Sequence, residues 1–221
     1  TNASWSVGCP GGAGAVMRGS KSGGTPWVLA TQQCHPLGLA LDGSFVYWTN
    51  FDDGSVRKLA KGGGVLPPPI ATGQQKPGGI AVGGSSVYWN NFNDSGLGAL
   101  LTAPLGGAAT PTPLAQGLSR PASLITDGTS LFWTSLAAAP AGAVMTMPNG
   151  GGAATALSSG QDNPFGLAMD STHLYWVNSG PNGTVMKVPK AGGRALRLAS
   201  NQNDPHGIAV GGGWVYWTNA G

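Results

Sequence analysis

Ser44-Phe45-Val46-Tyr47-Trp48-Thr49-Asn50 is the stretch whose reading decides the fold. Close variants return as Val87-Tyr88-Trp89-Asn90, Leu131-Phe132-Trp133-Thr134, Leu174-Tyr175-Trp176-Val177 and Val215-Tyr216-Trp217-Thr218. Each is a short run of β-branched and aromatic residues bounded by turn formers, the composition of a strand. Five copies of one strand in 221 residues make this a repeat protein.

Working outward, each aromatic run follows a proline-led apolar segment: Pro36 to Leu41, Pro77 to Val82, Pro121 to Thr126, Pro164 to Met169 and Pro205 to Val210. These prolines lie 41, 44, 43 and 41 residues apart, the period of a four-stranded propeller blade. Tight turns written Asp42-Gly43, Gly83-Gly84, Asp127-Gly128, Asp170-Ser171 and Gly211-Gly212 join the two segments as a hairpin. A third strand opens on glycine at Gly14, Gly54, Gly98, Gly142 and Gly183. After a second glycine-rich turn comes a fourth strand, to which Pro67 to Pro69, Pro111 and Pro113 belong, so it is expected at the outer edge, where a missing amide is tolerated.

The expected architecture is a single all-β domain over residues 1–221, a five-bladed β-propeller of four-stranded antiparallel blades. The chain starts at strands three and four and stops after strands one and two. Residues 1–34 and 204–221 are therefore expected to pair as one split closing blade, with the others over about 35–75, 76–119, 120–162 and 163–203. Closure removes the exposed sheet edges an open array would leave. Cys9 and Cys34 flank strands three and four of the split blade, where a disulfide would staple the seam.

Tyr47-Trp48-Thr49-Asn50, preceded by Pro36-x-Gly38-Leu39-Ala40-Leu41-Asp42, resembles the YWTD repeat of the low-density-lipoprotein-receptor class of propellers and, more loosely, bacterial relatives and NHL-type repeats. The resemblance runs through all five copies, although the fourth position is not Asp and that class normally has six blades. It implies a blade design and a binding platform. Bacterial propellers of this broad type include streptogramin lyases, but no catalytic motif of theirs maps onto these residues.

Bulk composition narrows the function classes. There are 39 glycines, 9% charged residues and no glutamate, and the formal charge is only +3. No Lys/Arg run marks a nucleic-acid surface, and no apolar stretch has the length of a membrane span. With one expected disulfide, this composition suggests a bacterial protein that is secreted, periplasmic or at the cell surface, its export signal removed.

The aromatic runs are read as core, since both faces of a blade pack against neighbours. Trp5, Trp27, Phe51, Phe92 and Trp214 fall outside the repeat register and are the candidates for exposed aromatics. Side chains flanking the recurrent proline differ from copy to copy, and such variation amid repetition is where a propeller becomes specific. The candidate ligand-binding residues are therefore His35, Lys76, Arg120, Asn163, Phe165, Asp204 and His206, at the expected channel mouth.

No cofactor is expected. Asn50-x-Asp52-Asp53-Gly54 and Asn91-x-Asn93-Asp94 carry calcium-type oxygens but lack the spacing and terminal Glu of an EF-hand. The basic residues Arg18, Lys21, Arg57, Lys58, Lys61, Lys187, Lys190, Arg194 and Arg197 fall on the outer rim, either as a solvated edge or facing an acidic polymer.

The functional expectation is a non-enzymatic module, monomeric or assembled head to tail, for a protein or polysaccharide ligand. A structural array or fibre, and a hydrolase or lyase with its site around His35, Asp204 and His206, are the alternatives.

Overall fold

The computed structural model describes residues 14–92, 97–107, 110–137 and 139–221. They form antiparallel β-sheets and contain no helix, hence none long and apolar enough to cross a membrane. β1 (Gly14–Arg18) and β2 (Trp27–Gln33) form one hairpin sheet. β3 (Pro36–Leu41), β4 (Phe45–Asn50) and β5 (Ser55–Ala60) form a three-stranded sheet. Three four-stranded sheets follow: β6 (Pro77–Gly83), β7 (Ser86–Asn91), β8 (Leu97–Pro104) and β9 (Thr112–Ser119); β10 (Pro121–Thr126), β11 (Ser130–Ser135), β12 (Gly142–Pro148) and β13 (Thr155–Gln161); β14 (Pro164–Met169), β15 (His173–Asn178), β16 (Gly183–Pro189) and β17 (Leu196–Gln202). β18 (Pro205–Gly211) and β19 (Trp214–Asn219) close the list as a second hairpin sheet.

Within each four-stranded sheet the strands lie in chain order, as the repeat predicts. In the first full copy the fourth strand is missing. Only an isolated bridge, Val56 to Ala71, stands in its place. Pro67-Pro68-Pro69 supplies no amide donor over three successive residues, which interrupts the ladder there.

The chain divides into two compact units, Thr1–Asn93 with Leu100–Pro113, and Asp94–Ala99 with Leu114–Gly221. In each, the aromatic strand is the core. Tyr47 and Val56 of one sheet pack with Ile80, Val87 and Trp89 of the next in the first unit, and Phe132 and Val144 pack with Leu167, Leu174 and Trp176 in the second.

Every position of the aromatic word has a distinct bonding role. The Tyr47 hydroxyl donates to Asp42 Oδ2 in the preceding turn at 2.6 Å, and Tyr175 does the same to Asp170 at 2.7 Å. The Trp48 indole donates to Gln33 Oε1 at 2.9 Å, and Asn50 Nδ2 donates to the same oxygen at 3.0 Å. Equivalent junctions join Gln74 to Trp89 and Asn91, Gln161 to Trp176 and Asn178, and Gln202 to Trp217 and Asn219. These glutamines stand three residues before the recurrent proline; Gln33, Gln161 and Gln202 tie a strand, and Gln74 the segment in its place, to the second strand of the following sheet.

The threonine repairs a bulge. In each strand-one to strand-two pair the register slips just after the proline, as between Pro36 and Leu39. The amide this frees in Gly38 donates to Thr49 Oγ1 at 3.0 Å, and that hydroxyl donates onward to the Gly78 carbonyl of the adjacent sheet at 2.7 Å. Thr134 repeats both bonds, to Ser123 N and the Phe165 carbonyl. Adjacent first strands come so close here that a Cβ on Gly38 would lie 2.3 Å from the Gly78 carbonyl, and one on Gly166 would lie 2.1 Å from that of His206.

The last copy departs from the core reading. Trp48, Trp89, Trp133 and Trp176 are at most 1% exposed, whereas Trp217 is 37% and Tyr216 59% exposed. The reason is topological. β19 has β18 on one side and no third strand on the other, and β1 with β2 likewise forms a sheet of two strands. The two hairpins expected to pair as one closing sheet are thus two separate sheets of two strands each. Among the register-breaking aromatics, Trp27 and Trp214 are 59% and 70% exposed, Phe51 and Phe92 are partly buried, and Trp5 lies outside the described residues.

The turn carboxylates titrate unusually low. For Asp170 the Tyr175 hydroxyl is the largest cause, with the amides of Thr172 and His173. At Asp127 burial works to raise the value, but the Ser130 amide, Thr129 and Lys190 outweigh it and hold it at about 2 against an ordinary 3.8. Because both carboxylates bind protons more weakly folded than unfolded, they stabilise the fold above about pH 4, and that contribution fades as pH falls below it. Tyr175→Phe should lower stability by about 1 kcal/mol at pH 7 and flatten the loss between about pH 4 and 2, as read by urea unfolding across pH.

The glutamine junction yields a second expectation. Gln33→Leu leaves two buried donors without their acceptor and should cost about 2–3 kcal/mol. Adding Asn50→Ser, which reproduces the Leu118 and Ser135 found in the third copy, should restore part of that loss in the same assay.

Candidate functional site

The residue before each recurrent proline adopts left-handed backbone angles. φ is 55° at His35, 51° at Lys76, 38° at Arg120, 47° at Asn163 and 51° at Asp204. A β-carbon makes this region unfavourable, and a following proline biases a residue toward extended angles instead. One hydrogen bond holds the conformation in all five copies. The carbonyls of His35, Lys76, Arg120, Asn163 and Asp204 accept the amides of Phe51, Phe92, Leu136, Ser179 and Ala220 at 2.9–3.1 Å. The residue that follows the aromatic word thereby pins the residue that precedes the proline. At this corner a repeated backbone carries side chains that do not repeat.

In the first unit, His35 and Lys76 meet around Phe51. The His35 and Phe51 ring centroids are 5.4 Å apart, and Lys76 Nζ sits 5.7 Å from the Phe51 ring centroid. His35 Nδ1 also lies 3.6 Å from Asp52 Oδ1. Phe51 and Asp52 thus join the candidate residues, and the signal for them was their place immediately after the repeated word.

In the second unit, Phe165, Asp204 and His206 come together. The Phe165 and His206 rings meet edge to face at 5.1 Å. His206 Nδ1 is 3.0 Å from the Asp204 carbonyl and 3.8 Å from Asp204 Oδ2. An Nδ1–H donated to that carbonyl places the lone pair on Nε2. Asp204 is itself anchored, its amide donating to the Gly180 carbonyl at 2.9 Å and its Oδ1 accepting the Gly180 amide at 3.0 Å. Asn163 Nδ2 donates to Asp162 Oδ1 at 3.1 Å, so Asn163 is held beside its own chain and not against His206. Arg120 occupies the same corner of its own sheet.

Other candidates fare differently. Asp53 Oδ1 accepts the Ser55 amide, and the Asn50 amide nitrogen donates to Gln33 and Ser55. Among the described residues the buried Asn50 Oδ1 has no hydrogen-bond partner, and no three His, Cys, Asp or Glu side chains gather as metal ligands. Asn93 and Asp94 lie outside the described residues. Cys34 is buried at the end of β2, while Cys9 lies outside the described residues, as does any bond between them.

No protein-family model and no curated protein matches the chain. Solved structures do. A structure described as the nidogen/laminin complex matches with a TM-score of 0.73 at 24% identity, over 88% of this chain and 76% of that one. A streptogramin B lyase matches at 0.74 and 17% identity, over 93% and 69%. A putative TolB from Agrobacterium tumefaciens matches at 0.65 and 15%, over 89% and 79%. At these identities the likeness carries the fold: an all-β chain of antiparallel sheets of the β-propeller kind.

The pinned corner predicts its own mutational signature. Asn163→Val should cost about 1–2 kcal/mol, because a β-branched residue fits left-handed angles poorly, whereas Asn163→Gly should be neutral or stabilising. Thermal unfolding of the two variants decides this.

Proposed function

We propose that the chain is a non-enzymatic, exported binding propeller of five blades, over the boundaries 1–34 with 204–221, 35–75, 76–119, 120–162 and 163–203, presenting a copy-specific face to a protein or polysaccharide. The observation that carries this is the pinned left-handed corner. Five non-glycine residues occupy a costly conformation in register, each with a different side chain, and such strain collects at binding surfaces. A rigid backbone displaying variable side chains recognises a ligand without losing much conformational freedom on binding. His35 with Phe51 and Lys76, and Phe165 with His206, supply aromatic and charged contacts of the type enriched at interfaces. A propeller neighbour is itself described in a nidogen/laminin complex.

Ring closure goes with this reading, β1 lying beside β19 as its third strand. The register of complete sheets, Trp133 opposite Met145 and Trp176 opposite Met186, would set Trp217 opposite Met17. Thr218 Oγ1 accepts the Gly207 amide but, unlike Thr49 and Thr134, donates to no carbonyl of a further sheet among the described residues. Amide exchange read by mass spectrometry should show β19 as protected as β15 in dilute monomer; protection that appears only in oligomers would instead establish the head-to-tail array.

The lyase reading is favoured by one feature, the Nε2 lone pair that the Asp204 carbonyl leaves on His206. Panels of glycans and extracellular proteins separate the two. The binding reading expects a stable ligand lost in both His35→Ala/Lys76→Ala and Phe165→Ala/His206→Ala. A ligand that is turned over, with turnover abolished by His206→Ala alone, would make the chain an enzyme.

A further inference from the structure

The second unit holds a cavity of about 510 Å³ against β16 and β17, with Asn182, Thr184, Arg194 and Arg197 in its lining. A cavity of that size suits one or two sugar rings. Neither arginine's guanidinium has a hydrogen-bonding or ionic partner among the described residues. Their place in the repeat makes this informative. Met186 pairs with Arg197 where Met145 pairs with Ala156 and Met17 with Val28, and Arg194 stands where Ala153 follows the Gly151-Gly152 turn. The blade is thus built without arginine at either position in the copies whose register is known. Both guanidiniums are additions on this copy, and both line its cavity.

The chemistry of the walls selects the ligand. A guanidinium presents a planar fork of donors that matches a carboxylate with two parallel bonds. Phosphate sites are more often built from free backbone amides in a turn. Here the Gly180 and Gly183 amides are already committed, to Asp204 Oδ1 and to the Gly180 carbonyl. The acid in the lining, Asp162, is likewise engaged with the Ala139 and Asn163 donors. Asn182 and Thr184 add amide and hydroxyl groups suited to sugar hydroxyls, and Met186 adds an apolar surface. We infer that this groove binds a carboxylate-bearing saccharide, a uronic-acid unit of an acidic polysaccharide, through Arg194 and Arg197. The lining shares Asp162, Ser179 and Gly180 with the bonds that hold the Asn163 and Asp204 corners, but Arg194 and Arg197 belong to no corner, so their substitution tests this site separately.

Calorimetric titration of the full chain with trigalacturonate, its carboxyl-reduced neutral analogue and inorganic phosphate tests the assignment. Trigalacturonate should bind at low salt, weaken as salt rises and bind at least about tenfold more tightly than the neutral analogue. Arg194→Ala/Arg197→Ala, which installs at position 194 the residue of copy three and at 197 likewise, should lose at least about tenfold in affinity with an unchanged unfolding curve. Arg194→Lys/Arg197→Lys should fall between the two, because it keeps the charge and loses the fork. Absence of trigalacturonate binding, equal binding by the neutral analogue or by the alanine pair, or tighter binding of phosphate would each overturn the proposal.

Discussion

The buried junction of Gln33 with Trp48 and Asn50, repeated in three further copies, is the constraint on which the rest depends. An indole fills the space between sheets better than any other side chain, but its N–H cannot be buried unpaired at low cost. One glutamine oxygen serves the indole and the neighbouring asparagine together, and it arrives from the preceding fourth strand. The same contact that satisfies the core therefore ties one sheet to the next. The third copy, with Leu118 and Ser135, shows the alternative: the polar pair is removed as a set, and Ser135 Oγ turns to the Ser119 carbonyl.

Packing first strands this closely has a consequence for function. The approach of Gly38 to the Gly78 carbonyl requires the bulge after each proline, and the bulge is held by Thr49. The chain entering that bulge turns through a left-handed residue, whose carbonyl is pinned by the amide that follows the aromatic word. Structural residues thus define a corner whose pinning bond is made by the backbone carbonyl and not by the side chain. A backbone-made bond lets His35, Lys76, Arg120, Asn163 and Asp204 differ while their backbones agree.

Much of this was legible in the residues. The spacing of the prolines, the hairpin turns and the strand order within sheets all follow from local chemistry that each copy repeats. The glutamines were also in plain view, three residues before each proline in four copies, but a polar residue at a strand end reads as solvated until its partner strand is placed beside it. The left-handed corner was hidden for the opposite reason, since local preference before proline points to extended backbone and a tertiary bond overrides it. Pro67 to Pro69 marked an edge correctly, although three missing donors erase the strand altogether.

The sequence by itself determined the blade, because strand, turn and core preferences act over a few residues and five copies average out the noise. Only the tertiary structure decided which side chains come together: His35 with Phe51, Phe165 with His206, and two arginines in the lining of one cavity. It also decided that Trp217 and Tyr216, written in the same word as four buried copies, stay exposed. Burial belongs to a residue's neighbours, and the neighbour that would cover β19 is a third strand its own hairpin does not contain.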